Sequence, residues 1–437
     1  MMEFGTLLSR RSILRGGAAG IGAVLSSRAG AVQSPRRDVL AGEKLYADVV
    51  RYSEMGSHRT ASPGDAACTA WLSSRLRSAG YSVDTPGVPF PLFTPARCIV
   101  QLDDQQIGAF PAWPVVPTAG TGLAARLASP DAIELGGKIA VLDPPFREGS
   151  SLVVPGFGDA IMRAAERGAT AVALITNGPT GDIIALNAAP KRYRWTIPVV
   201  LVAGRDGSRI LEAASKGAPG RIILTGSNNP RAVATNVVAR RRGRGLSVVI
   251  STPKSGWFTC AGERGSGIAL FLATAEALAR DTDADLMVIA TTGHEVDGLG
   301  GRELIQTHAP PPGQVRLWAH IGANVASNAV SMQGGVTRLR SIHPRRGVLV
   351  NAPLMAAAAH AFAGQPGYEA PVDVMSPRAI GEVILYRNAG YSPVIGLVGG
   401  HPLHHTPLDL PHLVTSPGAL EPVARGFHRL MLATMRA

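Results

Sequence analysis

The residues with metal-binding or acid–base chemistry fall in a few short stretches. Three histidines, His401, His404 and His405, crowd a Gly/Pro-flanked segment that runs on as Thr406-Pro407-Leu408-Asp409. Upstream lie Gly293-His294-Glu295, the pair Glu263-Arg264, and His320. Carboxylate and imidazole are ready ligands for zinc, and imidazole titrates near neutral pH, which suits a general base. Each residue also has a structural use. Glu263 can pair with Arg264 or cap a helix starting near Ser266, and Glu295 can favour a helix dipole. His294 and His320 can be hydrogen-bonded structural histidines, and His405 a surface loop residue. Other chemistries are excluded. The Gly298–Gly301 turn lacks the Gly-Lys-Ser/Thr ending of a phosphate loop, and neither Ser255 nor Ser266 sits in a nucleophile elbow. Cys68, Cys98 and Cys260 have no metal-ligand spacing, so buried thiols are expected, with room for one disulfide after export.

These residues need a scaffold, and its elements can be read from periodicity. Cys68, Leu72 and Leu76 recur every four residues, which predicts a helix from Asp65 that stops near Ala79-Gly80, followed by a strand at Tyr81–Val83. Strands are predicted at Lys138–Leu142, Ala171–Thr176, Pro198–Val202 and Arg221–Thr225, with helices at Ala160–Arg167 and Ser208–Ser215, a compact α/β unit. From Leu246 the pattern becomes a regular alternation. Strands at Ser247–Ser251, Leu286–Thr291, Arg316–Ile321 and Val394–Val398 alternate with helices at Ser266–Arg280, Asn351–Ala363 and Ala419–Met435. A mainly parallel sheet covered by helices follows, with ligands expected at the carboxyl ends of its strands.

The 437 residues, 46% of them hydrophobic, suffice for two large cores. The net charge of +12 is spread along the chain, and its one dense run, Ala239–Arg244, has no interleaved aromatics. A solvated loop is expected there, with no nucleic-acid partner. Ser9-Arg10-Arg11-Ser12-Ile13-Leu14-Arg15, the small apolar stretch Gly16–Leu25 and the small residues Ala29-Gly30-Ala31 occur in the order of a twin-arginine signal peptide spanning 1–31. No stretch of about 18 uninterrupted apolar residues offers a permanent membrane span. A periplasmic or secreted protein, handled by the twin-arginine export machinery, is expected.

The order of these parts resembles the zinc-dependent exopeptidases related to bacterial leucyl aminopeptidase and glutamate carboxypeptidase, over nearly the whole chain after the signal. Gly56–Gly64, the helix after it and Gly80-Tyr81 look like that family's opening. Gly137–Leu142, Ala164–Ala169, Ile197–Val200 and Arg205-Asp206-Gly207 look like a protease-associated domain. The resemblance implies an α/β fold of the phosphorylase/hydrolase-like kind, a mixed, mainly parallel sheet sandwiched by helices. Its parts would be 38–99 and 231–437, with the protease-associated domain at 100–230. The family's usual His-x-Asp is here Thr252-Pro253-Lys254, its Asp-Asn helix entry is Glu263-Arg264, and its Glu-Glu pair is His294-Glu295. Its next aspartate is absent, with His320 close by, and its late His-Thr survives as His405-Thr406.

Carried over residue by residue, the resemblance implies a site for one zinc ion rather than two, held by Glu263, Glu295 and His405. His320 is an additional candidate ligand, and His294 is either a general base or a fourth ligand. Lys254 would stand in electrostatically for the lost second ion. The implied activity is a metal-dependent, aminopeptidase-like exopeptidase acting on peptides. Two alternatives remain: a non-catalytic homologue that binds peptide or protein, and a mononuclear zinc enzyme of the glutaminyl-cyclase kind.

Overall fold

A computed structural model describes residues 38–147 and 149–436; the signal-peptide reading of 1–31 lies outside them. The stretch from Val39 onward is one compact unit. An eight-stranded sheet runs Ser82–Asp84, Val237–Arg241, Ala284–Thr291, Arg244–Pro253, Val315–Ile321, Val394–Gly399, Arg346–Val350, Val372–Asp373 in spatial order. Its four central strands, Ala284–Thr291 to Val394–Gly399, are mutually parallel, whereas Val237–Arg241 and Arg346–Val350 flank them antiparallel. The sheet is thus mixed with a parallel centre. Parallel strands buried on both faces read as continuous apolar runs, and these do.

Strand alternation divides the central residues between two cores. Val248, Ile250, Leu317, Ala319 and Ile321 face the helix Ser266–Asp281, which is buried along nearly its whole length. Helices Gly42–Ser53, Pro63–Ser78 and Pro417–Arg436 pack around it. Val249, Met287, Ile289 and Trp318 face the other way, against helices Leu299–Thr307 and Val383–Asn388. Each fully buried aliphatic or aromatic side chain here contributes about 1.5–3 kcal/mol by leaving water.

A second body interrupts the chain. Strands Leu92–Leu102, Gln105–Pro111, Val199–Ala203, Ala171–Thr176, Ile139–Leu142, Leu123–Ala128 and Pro219–Asn229 close, in that order, into a seven-stranded barrel. Helices Gly158–Glu166 and Gly207–Ser215 accompany it, each with its own apolar cluster. The barrel's first strand starts at Leu92 rather than at 100. Two further expectations are corrected. The basic run Ala239–Arg244 is mostly strand, with only Arg242 and Gly243 between strands, because Arg240 and Arg241 continue the buried Val237-Val238-Ala239 strand in register against Leu286–Ala290. All three cysteines are free, and Cys98 is half-buried rather than buried. Burial pushes the Cys68 and Cys98 thiols up to about 12, so neither is a nucleophile. No helix of the described residues is long and apolar enough to cross a membrane.

Candidate metal and acid–base site

The carboxyl ends of the central strands converge as parallel topology requires. Lys254 follows Arg244–Pro253, His294 and Glu295 follow Ala284–Thr291, His320 ends Val315–Ile321, and His404 and His405 follow Val394–Gly399. Glu263 comes from a π-helical turn, Ala261–Gly265, leading into the helix Ser266–Asp281. Asp409 fixes that turn. Its Oδ1 accepts from the Gly262 amide at 2.6 Å and its Oδ2 from the Glu263 amide at 3.0 Å. A Cβ on Gly262 would lie 2.9 Å from Asp409 Oδ1, so only glycine permits this approach. Burial, with the Glu263 charge adding to it, raises the Asp409 carboxyl to about 7.

His405 adopts a left-handed backbone conformation, φ 60°. Its Nδ1 lies 3.0 Å from the Ala185 carbonyl and 3.2 Å from that of Ser150. Carbonyls only accept, so Nδ1 carries the proton and a neutral ring keeps its lone pair on Nε2. That nitrogen faces Glu263 Oε1 at 3.1 Å. Two acceptors cannot face each other at this distance unless a second proton or a metal cation lies between them. Glu263 Oε2 is buried with no hydrogen-bond partner. His404 stacks on His405 at 3.9 Å, and among the described residues Glu263, His404 and His405 alone form a cluster of potential donors within 4.8 Å of one another. Burial works against the Glu263 charge, but His405, Arg264 and His404 outweigh it and hold the carboxyl well below its usual range. Burial, then His405, lowers His404 well below its usual value.

This N,N,O set fits one zinc ion and leaves a fourth tetrahedral position open. Arg264 is the countervailing feature. It is fully buried, its Nη2 2.8 Å from Glu263 Oε1 and its Nε donating to the Ser255 carbonyl at 3.0 Å. The guanidinium thus shares Oε1 with His405, while Oε2 has no hydrogen-bond partner.

The other predicted residues stand elsewhere. Glu295 is not with Glu263 and His405: its Oε1 accepts from the Thr60 amide and hydroxyl, both at 2.6 Å, and its Oε2 from Ser255 Oγ at 2.7 Å. The Glu295 carboxylate is satisfied by three donors in the protein interior, and it is His404 that lies with Glu263 and His405. Lys254 is fully buried and ion-paired with Asp65, whose Oδ2 also accepts from Thr292 Oγ1 at 2.9 Å. Its ammonium is thus held by Asp65 inside the protein. His294 and His320 meet at Glu382, from which they stand 3.2 Å and 3.5 Å. Burial lowers His320 to about 4, so it is neutral. Sequence reading missed Glu382, His404 and Asp409. Glu382 precedes a helix of only six residues, too short for periodicity to reveal, whereas Asp409 closes a motif already singled out.

No protein-family model and no curated protein sequence matches the chain. Solved structures do. BSAP, a zinc aminopeptidase from Bacillus subtilis, is 15% identical with a TM-score of 0.69, covering 90% of this chain and 95% of that one. A peptidase M28 precursor from Shewanella amazonensis is 17% identical with a TM-score of 0.70, covering 90% and 95%. An aminopeptidase from Aneurinibacillus sp. strain AM-1 is 17% identical with a TM-score of 0.63, covering 90% and 93%. At these identities the likeness is one of fold: the chain is built like zinc aminopeptidases and M28 peptidases along nearly their full length.

Proposed function

We propose that the protein is a peptide hydrolase of aminopeptidase-like type that works with one divalent ion, zinc by the chemistry of its donors, held by Glu263, His404 and His405. One observation carries this reading: the lone-pair side of His405 Nε2 facing the Glu263 carboxylate, its other nitrogen held by carbonyls in the manner of a metal-ligating histidine. The ion would supply Lewis-acid polarisation of a peptide carbonyl. The chain's own residues do the rest. Asp409 aims Glu263, and the Ser150 and Ala185 carbonyls aim His405. His294 accepts one proton from the attacking water and returns it to the leaving amine, so the ring ends as it began. A cavity of about 720 Å³, lined by Ile184, Leu349, Val398, Pro402 and His404 among others, offers apolar walls for a substrate side chain. We read the barrel insert as a protease-associated domain and residues 1–31 as a twin-arginine signal, which gives a periplasmic or secreted protein.

The Arg264–Glu263 pair favours a second reading, a metal-free cleft that binds peptides without cutting them. Metal analysis of the mature protein produced with zinc available separates the two, followed by assay on aminoacyl and dipeptide substrates. The hydrolase reading expects close to one ion per chain, with His405→Ala losing both ion and turnover. A wild-type protein with no stoichiometric metal leaves the binding reading in its place.

A further inference from the structure

Hydrogen bonding around Glu382 has a fixed direction at His294. Trp318 Nε1 donates to Ser251 Oγ at 2.8 Å, and an indole nitrogen can only donate. Ser251 Oγ in turn lies 2.9 Å from His320 Nδ1. A hydroxyl oxygen accepts twice and donates once, so this contact is compatible with either His320 tautomer. His320 Nε2 stands 3.5 Å from Glu382 Oε2 without a hydrogen bond to it. The same oxygen lies 3.2 Å from His294 Nδ1. An ionised carboxylate only accepts, so His294 donates from Nδ1 and keeps a lone pair on Nε2.

The fold enforces this arrangement. Trp318 and His320 are two apart on one strand and share its face, and the sheet register sets Ser251 beside His320. Glu382 is pressed against the turn Gly298–Gly301: a Cβ on Gly301 would lie 3.3 Å from Glu382 Oε1 and 3.2 Å from Leu385. The glycines that looked like a phosphate loop make room for this carboxylate, and they bring it to the start of the helix Leu299–Thr307, whose amide end favours negative charge. Burial alone would raise the Glu382 carboxyl, but His294 first, then His320 and Arg264, hold it down at about 2. The half-buried His294 lines, with Glu382, a cavity of about 390 Å³.

We infer that the Glu382 carboxylate holds His294 as its Nδ1–H tautomer, with Nε2 free as the base of the reaction. Glu382 is a positioning residue, and His294 is the group that touches the proton in transit. The use of Nε2 as base rests on the hydrolase reading above, but the tautomer does not.

The test therefore reads the two separately. In mature protein labelled with ¹⁵N-histidine, two-bond nitrogen–proton correlations, assigned with His294→Ala, should show His294 as Nδ1–H. Glu382→Gln keeps the shape, removes the charge and can donate from its amide, and it should shift the ring toward Nε2–H. Glu382→Ala, with no acceptor at all, should give a mixture. A wild-type ring found as Nε2–H, or one unmoved by both variants, overturns the inference. On any peptide substrate the wild type hydrolyses, Glu382→Gln should lower kcat by about 100-fold with KM nearly unchanged. An equal kcat in the variant removes Glu382 from the reaction. A wild type that cuts nothing, yet shows the Nδ1–H tautomer, ends the hydrolase reading and keeps the Glu382–His294 pair.

Discussion

Lys254 and Asp65 show how a replaced residue can change its task. Lys254 sits where a parallel-sheet enzyme would offer a ligand, at the end of the central strand, yet its ammonium is buried against Asp65 from the helix Pro63–Ser78. Asp65 also accepts from the Ala61 amide at 3.0 Å and from Thr292, so the pair joins the opening segment to two strand ends. Breaking such a pair from one side leaves a buried charge, which costs about 3–5 kcal/mol, far more than the pair itself contributes. Lys254→Ala should thus lower the urea midpoint severely, whereas Lys254→Met together with Asp65→Asn should recover much of the loss. If Lys254→Ala instead keeps wild-type stability and only slows turnover, the lysine faces substrate after all. His58 makes a second residue-scale prediction. It is buried, stacked on Tyr52 at 3.6 Å, with Nε2 2.9 Å from the Tyr52 carbonyl. Burial lowers it from 6.5 to about 4, so the folded state favours the neutral ring. Its contribution is whole above the unfolded value near 6.5 and is lost as pH falls from there toward 4, by roughly 3 kcal/mol in all. Denaturation midpoints measured at pH 7 and 4.5 should differ less in His58→Asn than in the wild type; equal differences would discard this account.

At the scale of elements, what could be read from the residues depended on length and on amphipathic contrast. The helix Ser266–Asp281 was predicted to within a residue of its end, and Val315–Ile321 and Val394–Gly399 likewise, because long apolar runs bounded by Gly, Pro and Asp have one interpretation. The barrel strands Leu92–Leu102, Gln105–Pro111 and Leu123–Ala128 were not predicted. They are half-exposed, and prolines at 95 and 111 break their pattern. The site followed the same division. His405 and Glu263 were legible because a flanking motif marks each, and a one-sided view of the chain shows what a residue is. Glu295, His404 and Glu382 depended on which way a side chain turns after a strand. His294 and Glu295 are neighbours, yet one reaches Glu382 and the other reaches Thr60. No spacing rule separates adjacent residues in a turn, where Gly293 at φ 75° redirects the chain.

At the scale of the whole molecule, the barrel insert completes the site. Besides the two carbonyls on His405, the insert donates from the Ala185 amide to the His405 carbonyl at 3.0 Å and from the Ala188 amide to the Glu295 carbonyl at 2.8 Å. Asn187 binds both bodies: its amide donates to the Ser150 carbonyl at 2.9 Å, and its side-chain oxygen accepts from Trp257 Nε1 at 2.9 Å. Phe110 of the barrel packs on Trp257 and Phe258 at the same junction. The segments 150–151 and 185–188 therefore set the direction of His405 without being near it in sequence. Asn187→Ala touches none of Glu263, His404 and His405, but it leaves the Trp257 indole without its acceptor, at a cost of about 1–3 kcal/mol. The Ser150 and Ala185 carbonyls should loosen with it, and loss of such outer partners weakens metal binding by about 10–100-fold. A competition titration with a zinc chelator, run beside a thermal melt, should find both affinity and Tm reduced, while Glu212→Ala, on the exposed face of the insert, changes neither. A lower Tm with unchanged zinc affinity would mean that the insert only braces the fold and that His405 holds its direction from its own loop.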